Sequence, residues 1–161
     1  MKTLDQARDL ARSLVEVGNE LGVKTTAVIT DMNQPLGRMI GNGVEVDESV
    51  EILLGQGPVD ATELMLDLGG RILVLAGLAA DRTDAQRRMR QAIADGTALE
   101  KLTEMVREHG GDLAAPRRRG KERTVTADEA GYVTTIDAQR IGLAIIEMGG
   151  DARRHDAAVG Q

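Results

Sequence analysis

The sequence predicts an α/β fold, mostly helical, with one buried strand of the parallel type and a small α+β unit at the C-terminal end. Three observations carry that expectation. Apolar residues recur at three- and four-residue steps through several capped stretches, the period of amphipathic helices. One β-branched run, Lys24-Thr25-Thr26-Ala27-Val28-Ile29-Thr30, is too short for a helix of its own and reads as a strand covered on both faces. A helix, a two-residue break at Gly22-Val23 and then a strand form an order common in α/β domains.

Each element has a local reason. Thr3 and Gln6 have the spacing of a capping box, and Leu10, Leu14, Val17 and Leu21 mark the apolar face of the adjoining helix. Gly22 supplies its left-handed end. Residues 31–43 have neither helical nor strand period and are rich in turn formers; a loop after the C-terminal end of a parallel strand lies where α/β sheets usually bind ligands. Helices are then expected from Val46 to about Leu54 and from Asp60 to about Leu78, with Asp60 and Glu63 in cap positions. The pair Gly69-Gly70 inside the second marks a close crossing with another element, or a break. Thr83 with Gln86 and Thr97 with Glu100 are further capping boxes, and Gly96 and Gly110 end the helices they start. Residues 114–122, with the basic run from Pro116 to Lys121, read as a linker between a unit at 1–113 and one at 123–161. In the second unit, Thr124-Val125-Thr126 and Tyr132-Val133-Thr134-Thr135 read as a hairpin, and Asp137 caps a last helix through Ile141 and Met148.

Composition narrows the function. Tyr132 is the single aromatic residue, so base stacking is almost absent, and a net charge of −6 opposes a phosphate backbone; both weigh against a nucleic-acid partner. No run approaches the length of a membrane span, and the chain has no cysteine, so a cytoplasmic setting without disulfides or thiolate metal sites is expected. His109 and His155 lie far apart, with no serine or acid at a triad spacing, and His109 suits the negative end of a helix dipole. No phosphate-binding glycine motif succeeds the expected strand. The cluster Glu45, Asp47 and Glu48 reads as favourable charge at a helix start in preference to a divalent-metal site.

One stretch is specific. The run 24–38, which ends in Asp31-Met32-Asn33-Gln34-Pro35-Leu36-Gly37-Arg38, is similar to the signature of pyrimidine-nucleoside and thymidine phosphorylases. The likeness continues through Gly41-Asn42-Gly43-Val44-Glu45-Val46, Gly55-Gln56-Gly57-Pro58, Leu68-Gly69-Gly70 and Leu73-Val74-Leu75-Ala76-Gly77. Gly131-Tyr132-Val133, Ile136-Asp137 and Ile141-Gly142 resemble the opening of that family's C-terminal α+β domain. The chain therefore resembles an internal portion of the family's large α/β domain joined to the start of the C-terminal one. Met1 resembles an internal methionine of the family, and Asp156-Ala157-Ala158-Val159-Gly160 its D-x-x-V-G; the family's G-x-G-R-R stands here as Gly149-Gly150-Asp151-Ala152-Arg153-Arg154.

The resemblance implies a pentosyltransferase reaction, the reversible phosphorolysis of pyrimidine nucleosides with phosphate as co-substrate, through a transition state of oxocarbenium character. In the family the phosphate- and base-binding residues precede the region seen here. No catalytic or substrate-binding residue is therefore assigned, and a fragment inactive alone is expected. A stand-alone binding or assembly module, or half of a split enzyme completed in trans, are the alternatives. The family's homodimer forms largely through a small helical domain without a match in this sequence. The resemblance also implies part of a monovalent-cation site, for potassium: main-chain carbonyls of Leu36 and Met39 and the carboxylate of Glu48.

Overall fold

A computed structural model of the chain describes residues 3–117 and 121–148. Among them stand six α-helices: α1 (Leu4–Glu20), α2 (Asn42–Leu53), α3 (Val59–Leu75), α4 (Arg82–Ala94), α5 (Thr97–Glu108) and α6 (Ala138–Glu147). α1 begins as its sequence dictates, with Thr3 Oγ1 accepting the Gln6 N–H at 3.3 Å. It ends at Gly22, whose φ of 77° lets the Val23 N–H turn back to the Gly18 carbonyl at 2.9 Å. α6 likewise starts on Asp137, which accepts the Arg140 N–H at 2.9 Å.

The core is the α3–α4 hairpin. Leu66 and Ala85 are fully buried, with Ala61, Ala79 and Gly70 beside them. α3 runs unbroken through Gly69-Gly70, and Gly69 serves a close crossing, whereas Gly70 has room for a Cβ. A Cβ on Gly69 would overlap the Met89 methyl of α4, and one on Gly70 would lie 3.7 Å from the Ala85 Cβ. Charged groups frame the crossing: Asp67 pairs with Arg71 at 2.9 Å and with Arg82, and Asp84 pairs with Arg87 at 2.6 Å and Arg88 at 2.9 Å.

Several expectations are corrected. Residues 23–32 form no strand or helix, and most of them are exposed, Ile29 included; the buried parallel-type strand is absent among the described residues. The expected hairpin across 124–135 is also absent, and Tyr132 is 98% exposed. The physical reason is shared. A strand is defined by a neighbour that satisfies its N–H and C=O groups, and neither segment meets one among the described residues. At Thr25 the need is met locally instead, the Asn19 side chain accepting its N–H at 3.2 Å.

Two caps shift upstream. Asp81, not Thr83, caps α4 by accepting the Asp84 N–H at 2.9 Å. Asp95 accepts the N–H of Thr97 at 3.1 Å and its hydroxyl at 2.7 Å, so Thr97 is a donor inside α5 rather than its cap. Carboxylates outcompete hydroxyls for these amides because the bond is charge-assisted. α2 starts four residues before Val46, and α3 starts on Pro58-Val59. Of the linker, Arg117 is anchored rather than solvated, pairing with Asp47 of α2 at 3.1 Å with both side chains mostly buried. Residues 118–120, and the expectations placed on 149–161 including His155, lie outside the described residues.

Candidate functional site

The loop between residues 31 and 41 is shaped by acids from the next two helices, α2 and α3. Glu48, on the inner face of α2, is only 6% exposed. Its Oε1 accepts the N–H of Arg38 at 2.8 Å and that of Met39 at 3.3 Å. Glu45, one turn earlier, accepts the Gly41 N–H at 2.9 Å, and Asp60, in the first turn of α3, accepts the Gly37 N–H at 3.0 Å. Three carboxylates thus hold the amides of Gly37, Arg38, Met39 and Gly41. The Gly37 N–H, then that of Ala61, and the positive charge of Arg38 hold the Asp60 carboxyl below its ordinary range against a smaller opposing effect of desolvation.

Gly37 is required twice over. Its φ of 72° lies in the left-handed region, and a Cβ there would overlap Glu48 Oε2 and lie 2.9 Å from Glu48 Cδ. The loop therefore packs its backbone directly on a buried carboxylate. Glu48 has no Lys or Arg ion-pair partner among the described residues, so backbone dipoles alone compensate its charge.

Behind the loop opens a cleft of about 700 Å³. Leu36, Met39 and Glu48 all line it, so the three residues of the expected cation site share one cavity wall. Apart from Glu45 and Ser49, the remaining wall is largely apolar: Ile52 and Leu53 from α2, Leu64, Met65 and Leu68 from α3, Leu102 from α5. Ala138 and Gly142 of α6 close one side. On α5, Leu102 turns into the cleft while Met105 is half exposed.

Among the described residues no three His, Cys, Asp or Glu side chains converge as a metal cluster. Glu45, Asp47 and Glu48 are engaged separately, with Glu45 and Glu48 holding the loop and Asp47 holding Arg117. His109 is exposed at the α5 C-terminus, its Nδ1 2.7 Å from the Met105 carbonyl. No described helix is long and apolar enough to cross a membrane. Sequence reasoning missed Asp60, which looks like an ordinary helix-start acid. The signal for its second role is the turn-rich, donor-rich loop 23 residues upstream.

Residues 1–99, which include the loop, α2 and α3, match the model of the glycosyl transferase family, a/b domain. Pyrimidine-nucleoside phosphorylases from Staphylococcus aureus strains USA300 and COL are each 42% identical to this chain over 155 residues. The match covers 92% of this chain and 36% of each relative, so the chain spans little more than a third of the length of the curated relatives it resembles. The chain belongs to the glycosyl transferase family, a/b domain, and over most of its length it is similar to pyrimidine-nucleoside phosphorylases.

Proposed function

We propose that this chain is part of a pyrimidine-nucleoside phosphorylase, supplying a carboxylate-held loop and an apolar cleft to the reaction, and that it turns over no nucleoside by itself. In that reaction a phosphate oxygen bonds to the anomeric carbon while the C–N glycosidic bond breaks. The base leaves with the bonding pair and takes up a proton, giving free base and pentose 1-phosphate. Such a transition state needs one group for the phosphate and another for the departing base. Identity with phosphorylases over 92% of the chain supports the reaction class, and its span of 36% of their length supports a partial role. The exposed apolar face of α1, with Leu14 58% exposed, supports completion by further polypeptide, within one chain or in trans. The whole enzyme would act as a homodimer on a pyrimidine nucleoside and phosphate in the cytoplasm.

The single observation that carries the site reading is Glu48, a buried carboxylate that accepts the Arg38 and Met39 amides of the loop and has no Lys or Arg paired to it among the described residues. That donor set fits potassium: oxygen ligands suit a hard cation, and a Cβ at position 37 would occupy the space beside Glu48 Oε2. The Leu36 and Met39 carbonyls and Glu48 would hold the ion. When bound, it would supply a fixed positive charge that ties this loop to the polypeptide beyond it. A chimera tests the assignment: the matching segment of the Staphylococcus aureus relative is replaced by this chain and release of free base from uridine and thymidine is measured. Phosphate-dependent release is expected, with a requirement for potassium over sodium that Glu48→Ala abolishes. A folded chimera without phosphorolysis refutes the reaction class, and activity indifferent to Glu48→Ala refutes the cation site.

A further inference from the structure

We propose that Asp60 is a positioning residue of the cation site, setting the direction of the Leu36 carbonyl through the Gly37 N–H. The inference rests on the potassium reading above and adds a residue to it. In a planar trans peptide the carbonyl of one residue and the N–H of the next point in opposite directions. No peptide bond among the described residues is cis, and the Gly37 N–H is directed at Asp60 Oδ2, 3.0 Å away. The Leu36 carbonyl therefore faces away from Asp60, and it cannot rotate without breaking that bond.

The other acids cannot do this. Glu48 holds the Arg38 and Met39 amides, and so orients the carbonyls of Gly37 and Arg38. Glu45 holds Gly41 and orients the Ile40 carbonyl. Of the two carbonyls expected on the ion, Leu36 alone has its peptide pinned by a side chain from α3. The left-handed backbone of Gly37 makes this arrangement possible, because it lets adjacent N–H groups diverge toward carboxylates on two different helices. Asp60 touches no expected ligand atom; it acts only through the Leu36–Gly37 peptide.

Nuclear magnetic resonance on the full chain, labelled with carbon-13 and nitrogen-15, reads the two ends of that peptide separately. Potassium chloride is titrated against N-methylglucamine chloride at constant ionic strength, in the wild-type chain and in Asp60→Asn. Potassium is expected to move the Leu36 carbonyl resonance of the wild type. In Asp60→Asn that resonance should be displaced before potassium is added, while the Arg38 amide, held by Glu48, stays in place. The potassium concentration at half-shift should rise about tenfold, the effect of weakening one charge-assisted bond. Asp60→Glu, which keeps the charge, should recover part of the loss. A wild-type half-shift in Asp60→Asn overturns the proposal. An undisplaced Leu36 carbonyl in that variant overturns it as well. No potassium response in the wild type overturns the cation reading itself and removes the role given to Asp60. If Asp60→Asn also loses the Arg38 amide signal, the same comparison is made on Asp60→Ser, with the same outcomes deciding.

Discussion

Glu48→Ala removes one acceptor and leaves two loop amides to find another. The Arg38 bond, at 2.8 Å to a carboxylate, belongs to the stronger charge-assisted class, and the Met39 bond, at 3.3 Å, to the weaker. A hydrogen bond to a charged group contributes about 1.5–3 kcal/mol, and a buried donor left unpaired costs about 1–3 kcal/mol. The loop is only part-buried, so water recovers some of that, and a net cost of about 2 kcal/mol results. Amide hydrogen exchange measures it where it acts: protection at Arg38 should fall about thirtyfold, the equivalent of that energy. Gly37, held by Asp60 instead, should change much less. Unchanged protection at Arg38 would show that the buried carboxylate does not hold the loop.

The rest of the framework is equally open to test. Leu66→Ala, at a fully buried position between α3 and α4, should lower stability by about 3 kcal/mol in urea unfolding followed by circular dichroism. Gly70→Ala should raise it by about 0.5–1 kcal/mol, because an added Cβ meets only ordinary contacts and the helix gains intrinsic propensity; a loss comparable to Leu66→Ala refutes the described crossing. Hydrogen bonds from Arg88, Arg87 and the Ala80 N–H lower the Asp84 carboxyl from 3.8 to about 2. A folded pKa below the unfolded one gives stabilisation that is complete above about pH 4 and is lost as pH falls through about 2. Asp84→Asn should flatten the acid-unfolding profile in that window, and an unaltered profile counts against these pairs. On the apolar face of α1, Leu10, Leu14 and Val17 are each about half exposed. Sedimentation should therefore show concentration-dependent association of the isolated chain through its exposed apolar faces, and a monomer at all concentrations contradicts this.

How much the sequence revealed depended on how local the cause was. The Thr3 and Asp137 caps and the left-handed end at Gly22 are settled within a few residues, and the structure keeps them. The loop after residue 30 was legible from its broken period, whereas the burial of Glu48 against that loop was not. The extended run 24–30 was not legible as it stands, because β-branched residues state a preference and only a partner completes a strand. Thr83 and Thr97 fit the capping pattern, but Asp81 and Asp95, two residues upstream of each, carry the better acceptor. The role of Asp60 depends on a contact across 23 residues, and no local pattern encodes it.

Whether this chain is a working enzyme or a part of one is decided by free base released from uridine and thymidine in phosphate buffer. The purified chain is assayed with and without the remaining polypeptide of a phosphorylase relative. No release above blank is expected from the chain alone, and turnover is expected once that polypeptide is supplied. Steady phosphorolysis by the chain on its own would contradict a partial role.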